Sequence, residues 1–383
     1  MNEEREFASR YRIAHITTAH CADDPRILFR EAAALREAGW DVVVVGPAAA
    51  SGNIAGVPVL ATRRISNRMV RALSATFLGL RAVWRSEAAL AHFHDRELLP
   101  AALLSRWLLR RKAVFDSHED VSLFAVRDSI PRWMKKPLTA VIGGFDRFFA
   151  SRLDGVVAPT RLLQDRYRSI APRTETFVNY PAPAFLRARD AAWVPWRQRR
   201  REVLHVGTLR VSRLRFLVEV ARRFLDQHRD WTWTFVGMHP PVREWFERNV
   251  TGDIRQRLFG EAMVSHLEIA DRLCHARLGV NFHPLDSPHI RVAIPLKVFE
   301  YLACGLPVVT TRVPLLMELV QDCPAVRICP ETAGEYEAAL DALASGEDRS
   351  DLSETARMFS DTRFNCGQEA QRLADLYRRI LVE

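Results

Sequence analysis

Cysteine is scarce and scattered in this chain of 383 residues: Cys21, Cys274, Cys304, Cys323, Cys329 and Cys366 form no C-x-x-C and no Cys/His spacing of the zinc kind. They read as reduced thiols, which excludes a disulfide-stapled scaffold and a zinc finger. Long hydrophobic runs are missing too. No stretch of about 18 uninterrupted apolar residues occurs, so no segment reads as a membrane span. The opening MNEEREFASRYR is charged and runs straight into RIAHITT without the apolar stretch of a signal peptide, so a cytoplasmic protein is expected. Lysine is almost absent, with Lys112, Lys135, Lys136 and Lys297 standing beside 51 arginines. Neither G-x-G-x-x-G nor G-x-x-x-x-G-K-[ST] is present, which removes the main support for a dinucleotide oxidoreductase or a P-loop NTPase. Low-complexity tracts and repeats of about 20–50 residues are absent as well.

What is present is the composition of a globular protein, 48% hydrophobic and 26% charged, with a length that suggests two domains. The net charge of +9 points toward an anionic partner. Short β-rich runs (RIAHITT, DVVVVGP, VPVLAT, LAHFH, KAVFDS, GVVAP, TETFVN) alternate with segments of helical apolar spacing, the pattern of parallel sheets covered by helices. Over 181–201 no period holds and the stretch reads as a linker. The alternation resumes with EVLHVGTL, WTWTFVG, RLFG, LGVNFHP, PVVTT and AVRICP. We therefore expect an α/β protein with a Rossmann-like domain over 1–180, a linker over 181–201 and a second Rossmann-like domain over 202–365. A helix over 366–383 is expected to pack back on the first domain. Ligand sites belong at the carboxyl ends of the strands.

The strand ends are where the polar residues gather. After the first strand come Thr17, Thr18 and His20, then Asp24-Pro25-Arg26, with Asp24 suited to cap the next helix and Pro25 to open it. LAHFHDRELLP offers His92, His94 and Asp95, and KAVFDSHEDV offers Asp116, His118 and Glu119. Two such clusters at neighbouring strand ends indicate a site, and an organic ligand suits it better than a metal because the His-Glu-x-x-His spacing is missing. In the second half Gly207 follows a strand, with Arg210 and Arg213 near a helix start, an arrangement suited to a diphosphate. In PLKVFEYLACGLPVV, Lys297 falls in the first helical turn, where a cation opposes the helix dipole unless an anion is bound. Glu300 shares its face at i+3; an ion pair between the two would explain both without a ligand.

Taken together these motifs resemble the retaining glycosyltransferases of family 4 and their relatives, in which two Rossmann-like domains face each other across a cleft (GT-B). The resemblance runs through DPR at 24–26, HxHD at 92–95, DSHE at 116–119, DGVVAPT at 154–160, VNYPAP at 178–183, HVGTL at 205–209, FVG at 235–237 and PLKVFEYLACGLPVV at 295–309. It implies a nucleotide-diphosphate sugar, UDP ahead of GDP, as donor in the second domain. It also implies a lipid-linked or saccharide acceptor in the first domain, with no cofactor and no metal. By this resemblance Glu300 bonds the donor ribose, Arg213 and Lys297 meet the diphosphate, and His94 faces the sugar; His94, Arg213 and Lys297 are the catalytic candidates. Gly207, Arg210 and Asp286 complete the donor set, and His20, Arg26, Asp95, His118 and Glu119 form the acceptor set. The family's usual acid eight positions before Glu300 is replaced by Val292, with Asp286 as stand-in, and Arg210 takes over for the Arg that often follows the glycine. A sugar-nucleotide epimerase of the same architecture and a degenerate nucleotide-sugar-binding protein are the alternatives.

Residues 63–87 carry six arginines and one glutamate. On a helical wheel Arg64, Arg68, Arg71, Arg81 and Arg85 lie on one side and Ile65, Met69, Leu73, Leu80 and Trp84 on the other. Either the apolar side packs on the first sheet, or the segment, with PRWMKKPLTAVIGGFDRFF, is a patch for anionic membrane on the inner face of the cell membrane. Nucleic acid is not expected as a partner, because no binding motif for it appears.

Overall fold

The computed structural model describes residues 2–118, 131–286, 290, 294–346 and 348–383. The chain divides into two compact units, one running to Pro183 and completed by Cys366–Glu383, the other spanning Ala184–Asn365.

The first unit is built on eight strands: β1 (Arg12–Ile16), β2 (Asp41–Pro47), β3 (Gly52–Ile54), β4 (Val57–Thr62), β5 (Leu90–Phe93), β6 (Lys112–Asp116), β7 (Gly155–Ala158) and β8 (Thr174–Thr176). They pair in the order β3-β4-β2-β1-β5-β6-β7-β8, parallel except for the β3–β4 hairpin. Period-two alternation divides each central strand between two cores. Ile13, Val42, Val44, Leu90 and Val114 pack under the helix that begins at Pro25 and under helix Cys366–Val382, which adds Ala370, Leu373, Leu376 and Tyr377. Ala14, Val43, Val45, Ala91, Phe93 and Phe115 face the other way, toward helices Arg68–Ser86 and Leu99–Leu108. With both faces covered the strands read as nearly continuous apolar runs, which explains VVVV in β2.

The second unit is a six-stranded parallel sheet in the order β11-β10-β9-β12-β13-β14: β9 (Arg200–Val206), β10 (Thr232–Val236), β11 (Leu258–Glu261), β12 (Ala276–Asn281), β13 (Val308–Thr311) and β14 (Val326–Cys329). Its core joins Val203, Trp233, Phe235, Leu278 and Val280 to Leu214, Leu217, Ala221 and Phe224 of helix Val211–Gln227.

Two expectations need correction. The stretch 181–201 is not an irregular linker: it contains helix Pro183–Ala192 and reaches β9 through a short turn at Trp196–Gln198. Pro183 opens the helix, where its missing N–H costs nothing, so proline density marks a helix start there. Arg189 ties the helix to Asp361 and Arg199 Nη1 donates to Gly305 O (3.1 Å), binding the segment into the second unit. Helix Arg68–Ser86 does not turn its bulky apolar side to the sheet. Small residues, Ala75, Gly79 and Ala82, are the buried ones, while Met69, Leu73 and Trp84 are exposed. A Cβ on Gly79 would lie 2.6 Å from Ala101 Cβ, so the close packing against Leu99–Leu108 depends on the small side.

Candidate functional site

In the first sheet the strand order reverses between β1 and β5, the place where open parallel sheets hold ligands. Register sets His15 opposite His92, and His94 follows β5 with its N–H bonded to Ile16 O (3.0 Å). Asp24 caps the neighbouring helix by accepting from Arg26 N–H (2.8 Å) and Ile27 N–H (3.2 Å), with Pro25 at the first position; Pro25–Ala32 winds as a π-helix. This winding delivers both Arg26 and Glu31 to the buried face.

Arg26 is a strut. Its Nε and Nη2 donate to the two oxygens of Asp116 (2.7 and 2.8 Å), and Nη1 donates to Phe177 O and Asn179 Oδ1 (both 2.8 Å). Its Nε also lies 2.9 Å from Glu31 Oε1. Burial alone would raise the Asp116 carboxyl, but Arg26, His118 and His94 outweigh it and hold Asp116 well below its usual range. Burial, reinforced by Asp116, pushes Glu31 the other way, well above.

An ionised Asp116 can only accept, so a histidine nitrogen that bonds it carries the hydrogen. His94 Nδ1–H donates to Asp116 Oδ2 (3.1 Å), so His94 Nε2 accepts from His15 Nδ1–H (2.9 Å). His118 Nε2 lies 2.8 Å from Asp116 Oδ2 and 3.0 Å from His94 Nδ1. His94 is therefore buried with both ring nitrogens occupied, and the half-buried His118 is the member of this group that meets solvent. Burial also lowers His15, His92 and His94, so all three are neutral.

Asp95 is buried as well and pins the loop after β1, accepting from Thr17 Oγ1 (2.9 Å) and from the N–H groups of Thr18 and Ala19. Arg26, His94 and Asp95 thus act inside the protein, and the expectation that they meet a ligand directly is revised. His20 is half-buried beside His118, ring centroids 5.2 Å apart, and its hydrogen bond to Asp24 raises its pKa. Glu119 lies outside the described residues.

Two groups here have the donors to hold a metal: His15, Glu31, His92 and His94, and His94, Asp116 and His118. The Arg26 guanidinium already brings positive charge against Glu31 and both oxygens of Asp116, so an ion would have to share that space with it.

The second unit has its reversal between β9 and β12. Gly207 follows β9 with φ +116°, and a Cβ there would lie 1.8 Å from Lys297 Nζ, so the ammonium rests on bare backbone. Lys297 stands in the first turn of helix Leu296–Ala303 and Arg213 in that of helix Val211–Gln227; neither first turn carries an acid. Burial and Arg213, partly offset by Glu300, lower Lys297 to about 8. Burial and Arg210, partly offset by Asp286, lower Arg213. His283 is pushed down to about 3 by burial, Arg213 and Lys297, and His205 well below its usual value by burial and Lys297. His205 Nε2 and His283 Nδ1 are buried without a hydrogen-bond partner among the described residues. Glu300 is buried with Oε1 2.8 Å from His266 Nε2, and Asp286 is exposed. Val292 lies outside the described residues.

Residues 26–182 match the model of a glycosyl transferase 4-like domain, and residues 200–345 match the model of glycosyl transferases group 1. The chain is built from two glycosyltransferase domains. Its architecture is that of solved GT-B proteins. The sucrose-phosphate synthase of Thermosynechococcus elongatus superposes with a TM-score of 0.68 at 14% identity, covering 97% of this chain and 100% of that one. Anabaena Alr3699/HepE, solved in complex with UDP and glucose, gives 0.64 at 14% identity, covering 96% and 99%. A putative UDP-N-acetylglucosamine 2-epimerase from Listeria monocytogenes gives 0.60 at 12% identity, covering 96% of each chain. No curated protein matches the sequence.

In this glycosyltransferase the residues missed from sequence are His15, Glu31 and Tyr377 in the first unit and His205, His266 and His283 in the second. His15 and His205 sit at inward positions of apolar strands, and a polar residue at a core position was the signal available. Tyr377 OH lies 2.6 Å from His92 Nδ1 across 285 residues, a pairing no local pattern announces.

Proposed function

We propose that this protein transfers a sugar from a nucleoside-diphosphate donor, UDP ahead of GDP, to a lipid-linked or polysaccharide-precursor acceptor at the inner face of the cell membrane, with retention of configuration and without a metal. The observation that carries the reading is Lys297, laid on Gly207 in the first turn of one helix, and Arg213 in the first turn of another, with Arg213 lowering Lys297 and Arg210 lowering Arg213. Such a group is electrostatically unsatisfied until an anion arrives, and a diphosphate offers charge and acceptors together. On this reading Lys297, Arg213 and Arg210 hold the diphosphate, Glu300 the ribose, and Asp286 lies near the transferred sugar. Departure of the nucleoside diphosphate develops negative charge on its outer phosphate, and prearranged cations and helix amides that tighten on that charge lower the barrier. Retention by attack on the leaving-group face needs no protein carboxylate as nucleophile, unlike the glycosidase route.

In the first unit His118 and His20 are the groups for the acceptor or the donor sugar, and His94 positions His118 through Asp116. The nucleotide choice gains support from the UDP in the Anabaena complex. A panel of UDP, GDP and ADP with their common sugars, read by thermal shift, tests the donor. UDP and UDP-sugars should raise the melting temperature most, and a panel in which no nucleoside diphosphate raises it ends the proposal. Release of an altered, free sugar nucleotide without acceptor would assign the epimerase reaction instead.

A further inference from the structure

Helix Arg68–Ser86 is apolar on two opposite sides. Ala75, Gly79, Ala82 and Val83 face the core, while Met69, Leu73, Phe77 and Trp84, which follow one another at helical spacing, are 74, 81, 66 and 72% exposed. A helix in water has one apolar face to bury, so the second needs a partner. Arg81 and Arg85 lie on the flank of the stripe, are exposed, and form no ion pair among the described residues; Arg71 is already taken by Glu97 (2.6 Å).

Helix Arg132–Ala150 repeats the pattern. Met134, Leu138, Val141, Phe145 and Phe148 recur at i, i+4, i+7, i+11 and i+14, with Trp133 and Val141 77 and 68% exposed, while Lys136 and Arg147 are exposed on another side of the helix. Helix Leu99–Leu108 packs against both, so the two stripes belong to one face of the first sheet.

We propose that this face docks on an anionic lipid bilayer, with the apolar side chains entering the headgroup–acyl boundary and Arg81 and Arg85 meeting lipid phosphates. Tryptophan suits that boundary, since its ring is apolar and its N–H needs a polar neighbour. The charge pattern selects the occupant. A second copy of the chain would set arginine against arginine, whereas an anionic surface neutralises them, each basic residue adding to the attraction and salt removing it. The inference concerns the first unit alone and stands whether or not the donor reading does.

Vesicle flotation of the full chain tests it, with phosphatidylcholine alone against phosphatidylcholine containing phosphatidylglycerol, and needs no nucleotide. The protein should float with the anionic vesicles, stay behind with the neutral ones, and be released by high salt. Leu73→Ser with Phe77→Ser, and separately Arg81→Glu with Arg85→Glu, should each lower partitioning roughly tenfold or more. Met358→Ser, at an exposed position of the second unit, should change nothing. Circular dichroism and melting confirm that each variant is folded, which these exposed positions favour. Equal binding to both vesicle types, no binding to either, or variants that float like the parent would overturn the proposal. So would a dimer in light scattering that the same substitutions dissolve while vesicles are ignored.

Discussion

In the first unit the buried cation Arg26 sits against the ionised Asp116 and the Glu31 carboxyl, whereas in the second Arg213 presses on Lys297 and Arg210 on Arg213, with Glu300 and Asp286 only partly offsetting them. Both arrangements lie at the same topological place, the reversal of a parallel sheet. One is balanced from within, so its geometry is set before any ligand arrives. The other is left short of negative charge, which a ligand can supply. A charged group in a crevice is therefore read better from its unmet balance than from its residue type: Arg26 and Arg213 are both arginines at helix starts, yet the first is tied up and the second forms no ion pair among the described residues.

Removing a partner should hurt the balanced unit most. Asp116→Ala strands the Arg26 charge in the core and should cost about 3–5 kcal/mol in denaturant unfolding. Asp116→Ala combined with Arg26→Met should recover part of it, and a single variant as stable as the parent would break the comparison. In the second unit the effect should move from stability to binding. Lys297→Ala should weaken UDP by about 1.5–3 kcal/mol in titration calorimetry while leaving melting unchanged or slightly higher. Glu300→Ala should weaken UMP and UDP alike and Lys297→Ala mainly UDP; equal losses for both ligands in both variants would remove these assignments. His94→Ala deletes two buried hydrogen bonds and should cost about 1–3 kcal/mol of stability. His118→Ala should stay within about 0.5 kcal/mol of the parent while turnover falls, and the reverse outcome would return the working role to His94.

The smallest effect is a pH dependence. With Lys297 at about 8, its charge is present below that pH and lost above it, so UDP affinity should hold from pH 6 to 7.5 and then fall. The slope should approach about 1.4 kcal/mol per pH unit. Calorimetry in two buffers should detect proton uptake on binding near pH 8.5; a flat profile up to pH 9.5 would place the lysine's charge outside the binding event.

Much of the fold was legible because β-branched runs between helical periods have few other readings. β3 was not, since SGNIAG has neither alternation nor apolar mass and is a strand only through its hairpin with β4. Helix Pro183–Ala192 was hidden by its own first residue, as proline both ends and begins helices. At the site, the neighbourhood of His94, Asp116 and His118 could be read from adjacent strand ends, but which histidine meets solvent could not. That choice is made by His15, a full 79 residues from His94, and by Arg26, 90 residues from Asp116. Within helix Arg68–Ser86 the wheel grouped the bulky apolar side chains Met69, Leu73 and Trp84, although Arg64 and Ile65 precede the helix. It could not show that alanine and glycine would win the sheet, because close approach depends on the facing Ala101.

Helix Cys366–Val382 also bears on the order in which the protein is made. It closes the core of the first sheet, sets Tyr377 against His92, and brings Glu369 to the Val178 N–H (2.7 Å), yet 182 residues of the second unit, Ala184–Asn365, come between. At about 5–20 residues per second a ribosome needs roughly 10–40 s to cross that interval. Through it the histidine face of the nascent first unit lacks its cover, while the second unit gains its last strand, β14, at Cys329, before that helix is made. The second unit thus has its whole chain first, and the first unit, though begun earlier, is completed after it.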